Sequence, residues 1–287
     1  EVGAAKAKYP KGLFARCFPL VGIKNAECGD RSEWIWKGRI VFGGDQVRTG
    51  EGDWAIFDDV GSVPTTMTAS RILLACKMLC PDLIICQSDC ESAYVQASLP
   101  KDDVTYVYLP KEWWPDKWFH NNKKEKCKYK NPVVRLKKAL YGHPRAGDLW
   151  ADKLAGVLKD EGFEAVTGWP SMYIKLTAGK PPMVIDVYVD DLIMLGTPVA
   201  LGSVLQRIRK AIKMEDPHEL GKYLGCYHRI AEERNSAGEV TTHVEWDMGQ
   251  YNRDSVSRYE KEDFREGRPF FKAATPFAPK QDAATFG

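Results

Sequence analysis

The spacing of hydrophobic residues changes along the chain, and each spacing predicts one kind of element. Apolar side chains three and four positions apart predict a helix over residues 66–80 and another over residues 148–161. A third helix is predicted to begin at Thr197 and Pro198 and to continue to about residue 213, because its apolar side chains form one stripe. These helices are the longest regular elements that the pattern indicates.

Short apolar runs between turn residues predict strands. The run LIICQSD ends at Asp89 and is too short for a helix. The runs SMYIKL, MVIDVYV and LIMLG follow, and Asp190 and Asp191 separate the last two, which places both carboxylates at a hairpin tip. The alternation in KYLGCYHRI predicts a final strand. Residues 1–65 are rich in glycine and charge, so we expect short strands and loops there.

The order of these elements predicts the fold class. Residues 83–230 give strand, helix, hairpin, helix and strand, which is the order of a ferredoxin-like split βαβ arrangement. The sequence therefore predicts an α+β fold with an antiparallel sheet. Residues 95–145 are too long for an ordinary connection, so we expect this insertion to be functional or to form a subdomain.

Composition excludes several classes of protein. A chain of 287 residues with 44% hydrophobic and 11% aromatic residues has enough apolar surface for a packed core and for about two domains. It has neither a long uncharged apolar run nor a secretory signal, so we expect a protein of the cytoplasm or nucleus. The eight cysteines lack Cys-x-x-Cys spacing, which favours reduced thiols over a structural metal.

The candidate chemistry lies in three aspartates. The first strand and the central hairpin are neighbours in a split βαβ sheet, so Asp89 can face Asp190, with Asp191 beside it. Such carboxylates repel one another, and a pair of Mg²⁺ or Mn²⁺ ions would turn the cluster into a site for nucleotidyl transfer. Adjacent aspartates are also common at turns, and a strand-end aspartate is often a cap. The apolar flanks of Tyr-Val-Asp-Asp favour the site.

These motifs resemble a known family. YVDDLIMLG is similar to the catalytic hairpin of reverse transcriptases, and LKKALYGHPRAGDLWADKL and QSDCESAYVQASLP are similar to segments of the Ty1/copia class of LTR retrotransposons. The resemblance continues through WKGRIV, KMEDPHELGKYLG and AATPFAPK, and so covers nearly the whole chain. It implies an RNA-directed DNA polymerase of right-hand architecture, with a ferredoxin-like palm and a fingers subdomain.

The resemblance also implies a division of the chain and an intracellular setting. The implied segments, in chain order, are the N-terminal part of the fingers at 1–82, a palm strand with the first catalytic aspartate at 83–94, a fingers insertion at 95–145, the palm with its YVDD hairpin at 146–232, and an extension toward a connection and RNase H region at 233–287. The expected location is the cytoplasm, in a virus-like particle, or the nucleus.

Residue roles follow from the same resemblance. It assigns metal binding and catalysis to Asp89, Asp190 and Asp191, with the carbonyl of Cys90 as a further ligand. The nucleotide-binding residues that it implies are Lys37, Arg39, Cys90, Tyr94 and Arg145. Tyr94 would lie beneath the incoming sugar and exclude a 2′-hydroxyl, and Lys37 and Arg39 would hold the triphosphate.

The residues themselves leave other interpretations of these positions open. Tyr94 is also consistent with a core tyrosine, and Lys37 and Arg39 with a solvated pair. The family usually has Gln, Ala and Pro where this chain has Arg145, Ala146 and Gly147. Asp186 is a charge within an apolar strand, where it would extend the acidic site or mark its decay. Lys210 or Lys213 is a candidate proton donor.

The expected partners are a primed RNA or DNA template, dNTPs, and the RNase H and integrase portions of a larger polyprotein. Residues 101–142 contain eleven Lys and Arg against five Asp and Glu, interleaved with aromatic residues. This mixture is typical of a groove that follows a nucleic-acid backbone, with residues 123–130 as candidate template contacts, or of a solvated loop. The alternatives are a degenerate or repurposed remnant that binds nucleic acid without catalysis, and an α+β RNA-binding module.

Overall fold

A computed structural model of the chain describes residues 1–24, 31–57, 63–80, 82–120 and 126–261. The helices of this part are α1 Val2–Lys8, α2 Met67–Leu79, α3 Ala93–Gln96, α4 Ala146–Asp160, α5 Pro198–Ile208 and α6 Gly249–Lys261. Its strands are β1 Leu13–Lys24, β2 Ile35–Phe42, β3 Arg48–Thr49, β4 Ile84–Asp89, β5 Thr105–Tyr108, β6 Val134–Arg135, β7 Glu164–Ala165, β8 Met172–Lys175, β9 Met183–Tyr188, β10 Asp191–Gly196, β11 His218–Glu219, β12 Lys222–Tyr223, β13 Cys226–Arg234 and β14 Val240–Asp247.

The three predicted helices are present as α2, α4 and α5. Side-chain oxygens cap two of them: Thr66 accepts a hydrogen bond from the Ala69 amide in α2, and Thr197 accepts one from the Ala200 amide in α5. The predicted end of α5 at residue 213 was wrong. After Ile208 the chain continues as turns, in which the Lys210 and Ala211 amides bond three residues back, although Ile212 is still fully buried. The apolar stripe therefore records burial beyond the end of the helix.

The largest sheet has the strand order β11-β4-β10-β9-β8-β7, and every adjacent pair is antiparallel. Its first four strands have the order of a split βαβ fold, with α4 and α5 as the two connecting helices. The predicted final strand is confirmed in part, because most of its residues are in strands, but it is neither continuous nor part of the large sheet. The residues KYLGCYHRI turn at Leu224 and Gly225, which have φ of 50° and 77°, and form β12 and β13 of a separate three-stranded sheet. The short β11 closes the large sheet instead.

The two faces of β9 and β10 are covered by different cores. Ile185, Val187, Leu192 and Met194 share a core with α4 and α5. Ile193 and Leu195 point to the other face, where they pack with Ala69 and Leu73 of α2 and with Tyr223. Because side chains alternate along a strand, Asp191 lies on the same face as Ile193. The α2 face thus carries Asp191 at its end.

The N-terminal strands form a second sheet in the order β2-β1-β5-β6, with β3 also paired to β1. The insertion returns to this sheet, because β5 pairs in parallel with β1 from Leu13↔Thr105 to Arg16↔Tyr108. The expectation of short strands was wrong for β1, which has 12 residues, and β2, which has 8. Both are largely exposed at their paired ends, so burial does not alternate there and the period-two signal is weak.

The chain separates into two compact units, Glu1–Trp246 and Asp247–Gly287. The described part of the second unit contains α6. The five segments implied by the resemblance stay a prediction. Within the described ranges, none of the helices has the length and apolarity that crossing a bilayer requires.

Candidate active site at the carboxylate hairpin

The strand register brings the predicted aspartates together. Asp89 at the end of β4 is the direct partner of Asp191 at the start of β10. One residue further on, the Cys90 amide donates a hydrogen bond of 2.8 Å to the Asp190 carbonyl. The three aspartates therefore lie at one end of a pair of central strands. This is the arrangement that the hairpin argument predicts, with Asp191 rather than Asp190 directly opposite Asp89.

The hairpin that carries Asp190 is a strained two-residue turn. Tyr188 pairs with Asp191, which leaves Val189 and Asp190 as the loop, and Val189 has φ of 59°. A left-handed residue costs roughly 1–2 kcal/mol when it is not glycine. The buried Trp150 indole donates a hydrogen bond of 2.6 Å to the Val189 carbonyl. Helix α4 thus helps to hold the tip in this conformation.

The electrostatics of the cluster are those of crowded carboxylates. Burial, and then the charges of Asp190 and Asp191, raise the pKa of Asp89 to about 6, although Lys37 acts in the opposite direction. Burial and Asp190 also raise the pKa of Asp191. Atom Oδ1 of Asp89 is buried and has no hydrogen-bond partner among the described residues. A divalent cation would relieve both the repulsion and the unpaired oxygen.

Whether these residues fit a metal ion depends on how many ligands the protein itself must supply. No group of three His, Cys, Asp or Glu side chains in the described ranges is arranged so that it can hold a metal ion by itself. Mg²⁺ is usually bound through one or two carboxylates together with substrate phosphates, so such a cage is not required. The oxygen-only ligands and the unpaired Oδ1 fit Mg²⁺ or Mn²⁺. The carbonyl of Cys90 lies at the same strand end.

Two of the predicted nucleotide-binding residues, Tyr94 and Lys37, interact electrostatically with this cluster, and Arg39 is linked to Tyr94 through the ring of Tyr141. Tyr94, in α3, is half-buried, and its ring meets the ring of Tyr141 edge to face with centroids 5.2 Å apart. Burial, and then the charge of Asp190, raise the pKa of Tyr94. The guanidinium of Arg39 lies over the other ring, 5.4 Å from the Tyr141 centroid. Lys37 is exposed on β2 and acts electrostatically on Asp89.

Arg145, another predicted nucleotide-binding residue, is paired with a carboxylate outside the aspartate cluster. Its guanidinium forms an ion pair of 2.9 Å with Asp103, whose side chain is almost fully buried. The two residues line a cavity beside Tyr9 in the N-terminal segment. Lys213, a candidate proton donor, forms an ion pair with Glu91, and Lys210 is exposed.

Asp186 lies beneath the cluster and has no exposed surface. The Thr65 hydroxyl donates a hydrogen bond of 2.5 Å to its Oδ1. Burial raises the pKa of Asp186 to about 6, and contacts with the hydroxyls of Thr65 and Tyr223 act in the opposite direction. Tyr223 is in turn within the electrostatic influence of Asp191. Asp186 is therefore part of a buried polar layer under the open carboxylates.

Sequence reasoning missed Gln87, Tyr141 and Trp150, which contact or position the predicted residues. Gln87 could have been found from alternation, because it is two residues before Asp89 and shares its face. Tyr141 lies within the quoted LYG motif, but nothing in its spacing indicates contact with Tyr94. Trp150 was identified only as a helix position.

The aromatic residues of the insertion contact one another. The ring centroids of Trp114 and Trp118 are 6.1 Å apart, and those of Trp118 and Tyr129 are 5.9 Å apart. These contacts cover ring surface that would otherwise be free to stack on bases. Of the candidate template segment 123–130, residues 123–125 lie outside the described residues.

Comparison with known proteins identifies the family. Residues 15–237 match the family described as reverse transcriptase (RNA-dependent DNA polymerase). Because this match covers more than half of the chain, the protein belongs to the reverse transcriptase family.

Two curated relatives come from plant transposons. The chain is 25% identical over 209 residues to the Retrovirus-related Pol polyprotein from transposon TNT 1-94 of Nicotiana tabacum, which covers 72% of this chain and 14% of the relative. It is 30% identical over 140 residues to the Retrovirus-related Pol polyprotein from transposon RE1 of Arabidopsis thaliana, covering 48% of this chain and 9% of the relative. The chain thus spans a small part of each relative. The resemblance to a Ty1/copia-type retrotransposon reverse transcriptase is confirmed.

Proposed function

We propose that the chain is the polymerase portion of a copia-like retrotransposon Pol polyprotein and transfers nucleotides from dNTPs to a primer 3′-hydroxyl on an RNA template. The observation that carries this proposal is the pairing of Asp89 with Asp191 and of Cys90 with Asp190 at one strand end. A structural cap or an ordinary turn accounts for one such aspartate. It does not account for a cluster in which Asp190 raises the pKa of both Asp89 and Asp191.

In this proposal Asp89, Asp190 and Asp191 hold Mg²⁺, with the Cys90 carbonyl as a further ligand. When bound, the metal lowers the pKa of the primer hydroxyl and stabilises the departing pyrophosphate. The protein's other groups position the nucleotide: the Tyr94 ring lies beneath the sugar, and Lys37 and Arg39 bind the triphosphate. Arg145 is the weakest of the assigned contacts because Asp103 already pairs with it.

The proposal assigns right-hand polymerase subdomains to the observed sheets. The large sheet with β4, β9 and β10 would be the palm, and the sheet of β1, β2 and β5 would be the fingers. The parallel pairing of β5 with β1 supports grouping the insertion with the N-terminal residues, since both contribute to one sheet. The RNase H and integrase portions, and a location in a virus-like particle or the nucleus, belong to the same proposal.

The decisive experiment is primer extension on RNA and DNA templates with Mg²⁺, comparing the wild type with Asp190→Asn. The variant keeps side-chain size and removes one charge, so we expect extension to fall by at least about a thousandfold while the unfolding midpoint is retained. Asp160→Asn, at the exposed end of α4, is the matched control and should extend normally. Extension by Asp190→Asn at the wild-type rate would exclude the assigned role.

The second candidate is a remnant that binds nucleic acid without polymerising it. The ion pair between Arg145 and Asp103 favours it, because it withdraws a residue from a position where the family usually has Gln. Template binding by the wild type without any Mg²⁺-dependent extension would support this second candidate and overturn the first.

A further inference from the structure

The face of the large sheet that carries Asp191 contains a buried amide, Gln87, whose hydrogen bonds reach a different part of the chain. Gln87 is 7% exposed. Its Nε2 donates a hydrogen bond of 3.1 Å to the Lys222 carbonyl, and its Oε1 accepts one of 3.4 Å from the Gly221 amide. One side chain therefore binds the Gly221 amide and the Lys222 carbonyl, at the start of β12.

The same amide faces the carboxylate cluster. Gln87 is the register partner of Ile193, and Asp191 is two residues away from Ile193 on the same face. This makes Gln87 and Asp191 diagonal neighbours, at a separation that a long side chain can span. A side-chain contact from Gln87 lowers the pKa of Asp191 against the rise that burial and Asp190 cause. An amide nitrogen has two hydrogens, so it can serve Lys222 and Asp191 together.

We propose that Gln87 is a positioning residue, which holds the Asp191 carboxylate and the Gly221–Lys222 backbone on one amide and so orients a metal ligand of the polymerase site. This inference rests on the proposed function. Neither hydrophobic isosteres nor a carboxylate can replace the amide, because the first has no polar groups and the second cannot donate. Groups that orient metal ligands typically contribute 10–100-fold to metal affinity or activity.

The test is Gln87→Met, which keeps the length of the side chain and removes its hydrogen bonds. Ser88→Ala is the matched control. Ser88 is buried on the opposite face of β4, and its hydroxyl donates one hydrogen bond of 2.9 Å to the Glu215 carbonyl. Both variants lose buried side-chain-to-backbone bonds, but only Gln87→Met loses the contact with Asp191. Each is measured for unfolding midpoint, for Mn²⁺ binding by electron paramagnetic resonance without nucleotide, and for kcat and dNTP KM in primer extension.

We expect Gln87→Met to weaken Mn²⁺ binding and to lower kcat, each by at least about tenfold, with an unchanged KM for dNTP. Ser88→Ala should lose stability while Mn²⁺ binding and kcat stay at wild-type values. Wild-type Mn²⁺ affinity in Gln87→Met, or an equal loss in Ser88→Ala, would overturn the inference. If Gln87→Met does not fold, the same measurements are made on Gln87→Glu, whose carboxylate still accepts the hydrogen bond from the Gly221 amide. A wild-type kcat in that variant would also overturn the inference.

The outcomes separate this inference from the polymerase proposal. If the wild type binds Mn²⁺ but does not extend primers, and Gln87→Met binds Mn²⁺ more weakly, the positioning role stands and the polymerase proposal fails. If the wild type extends primers and Gln87→Met matches it in both measurements, the positioning role alone fails.

Discussion

At the residue scale, Asp186 makes a prediction about stability that is independent of catalysis. Its carboxyl is fully buried, and burial raises its pKa from about 4 to about 6. The folded protein therefore holds the proton more tightly than the unfolded chain does. The stabilisation is complete below about pH 4 and is lost as the pH rises through about 6, at a cost of up to about 3 kcal/mol.

Asp186→Asn should remove this loss, because the amide oxygen still accepts the hydrogen bond from Thr65 and carries no charge. We expect the variant to exceed the wild type in free energy of unfolding by about 2–3 kcal/mol at pH 8, and to match it near pH 4. Urea unfolding at the two pH values measures the difference. A difference in free energy of unfolding of the same size at both pH values would show that ionisation of Asp186 is not its cause.

Tyr94 makes a prediction about sugar selection at the same scale. Its half-buried ring contacts Tyr141 and is within the electrostatic influence of Asp190, so truncation would open space beside the cluster, where the proposal places the sugar. Tyr94→Ala should raise the ratio of ribonucleotide to deoxyribonucleotide incorporation by at least about tenfold. Tyr94→Phe keeps the ring and should leave the ratio unchanged. Competing incorporation on one template provides the measurement, and an unaltered ratio in Tyr94→Ala would remove Tyr94 from the sugar site.

At the element scale, the N-cap of α2 stabilises the helix that covers one face of the large sheet. Thr66 accepts a hydrogen bond of 3.3 Å from the Ala69 amide, and Ala69 packs against the sheet. Thr66→Ala should lower the free energy of unfolding by about 1 kcal/mol. Thr68→Ala changes an exposed threonine inside the same helix and should be neutral or slightly stabilising. Denaturant unfolding of both variants checks the cap, and equal effects would contradict it.

The elements also show what could be predicted from the sequence and what could not. Helices α2 and α5 were predictable because a threonine cap and an apolar stripe agree, and Asp89 and Asp191 were predictable because each lies at the end of a clear strand. The turn at Leu224 was not, because a leucine with positive φ has no sequence signal. Gln87 and Tyr141 depend on contacts across strands and loops, which a one-dimensional period does not contain.

At the scale of the whole molecule, the first compact unit combines segments that are distant in sequence. Strand β5 of the insertion pairs with β1, and the 141–143 loop joins β2 through the hydrogen bond from the Phe42 amide to the Tyr141 carbonyl, of 2.7 Å. Gly142, with φ of 81°, lies at this junction, where an added Cβ would meet the Phe42 carbonyl at 2.4 Å. The basic residues of the insertion and of β2 therefore belong to one structural body with the carboxylates.

This arrangement predicts how RNA binding responds to salt. Lys117 and Lys126 are exposed in the insertion, and each would release counterions if it contacts phosphate. The double change Lys117→Gln/Lys126→Gln should make the slope of log K against log salt shallower by up to about 1.4 for a single-stranded template, at about 0.7 per contact. Lys159→Gln/Lys180→Gln removes the same charge from exposed positions outside the insertion and should leave the slope unchanged. Both variants reduce the net charge equally, so an effect of general attraction would appear in both. Equal slopes in the wild type and the insertion variant would assign template binding to another surface.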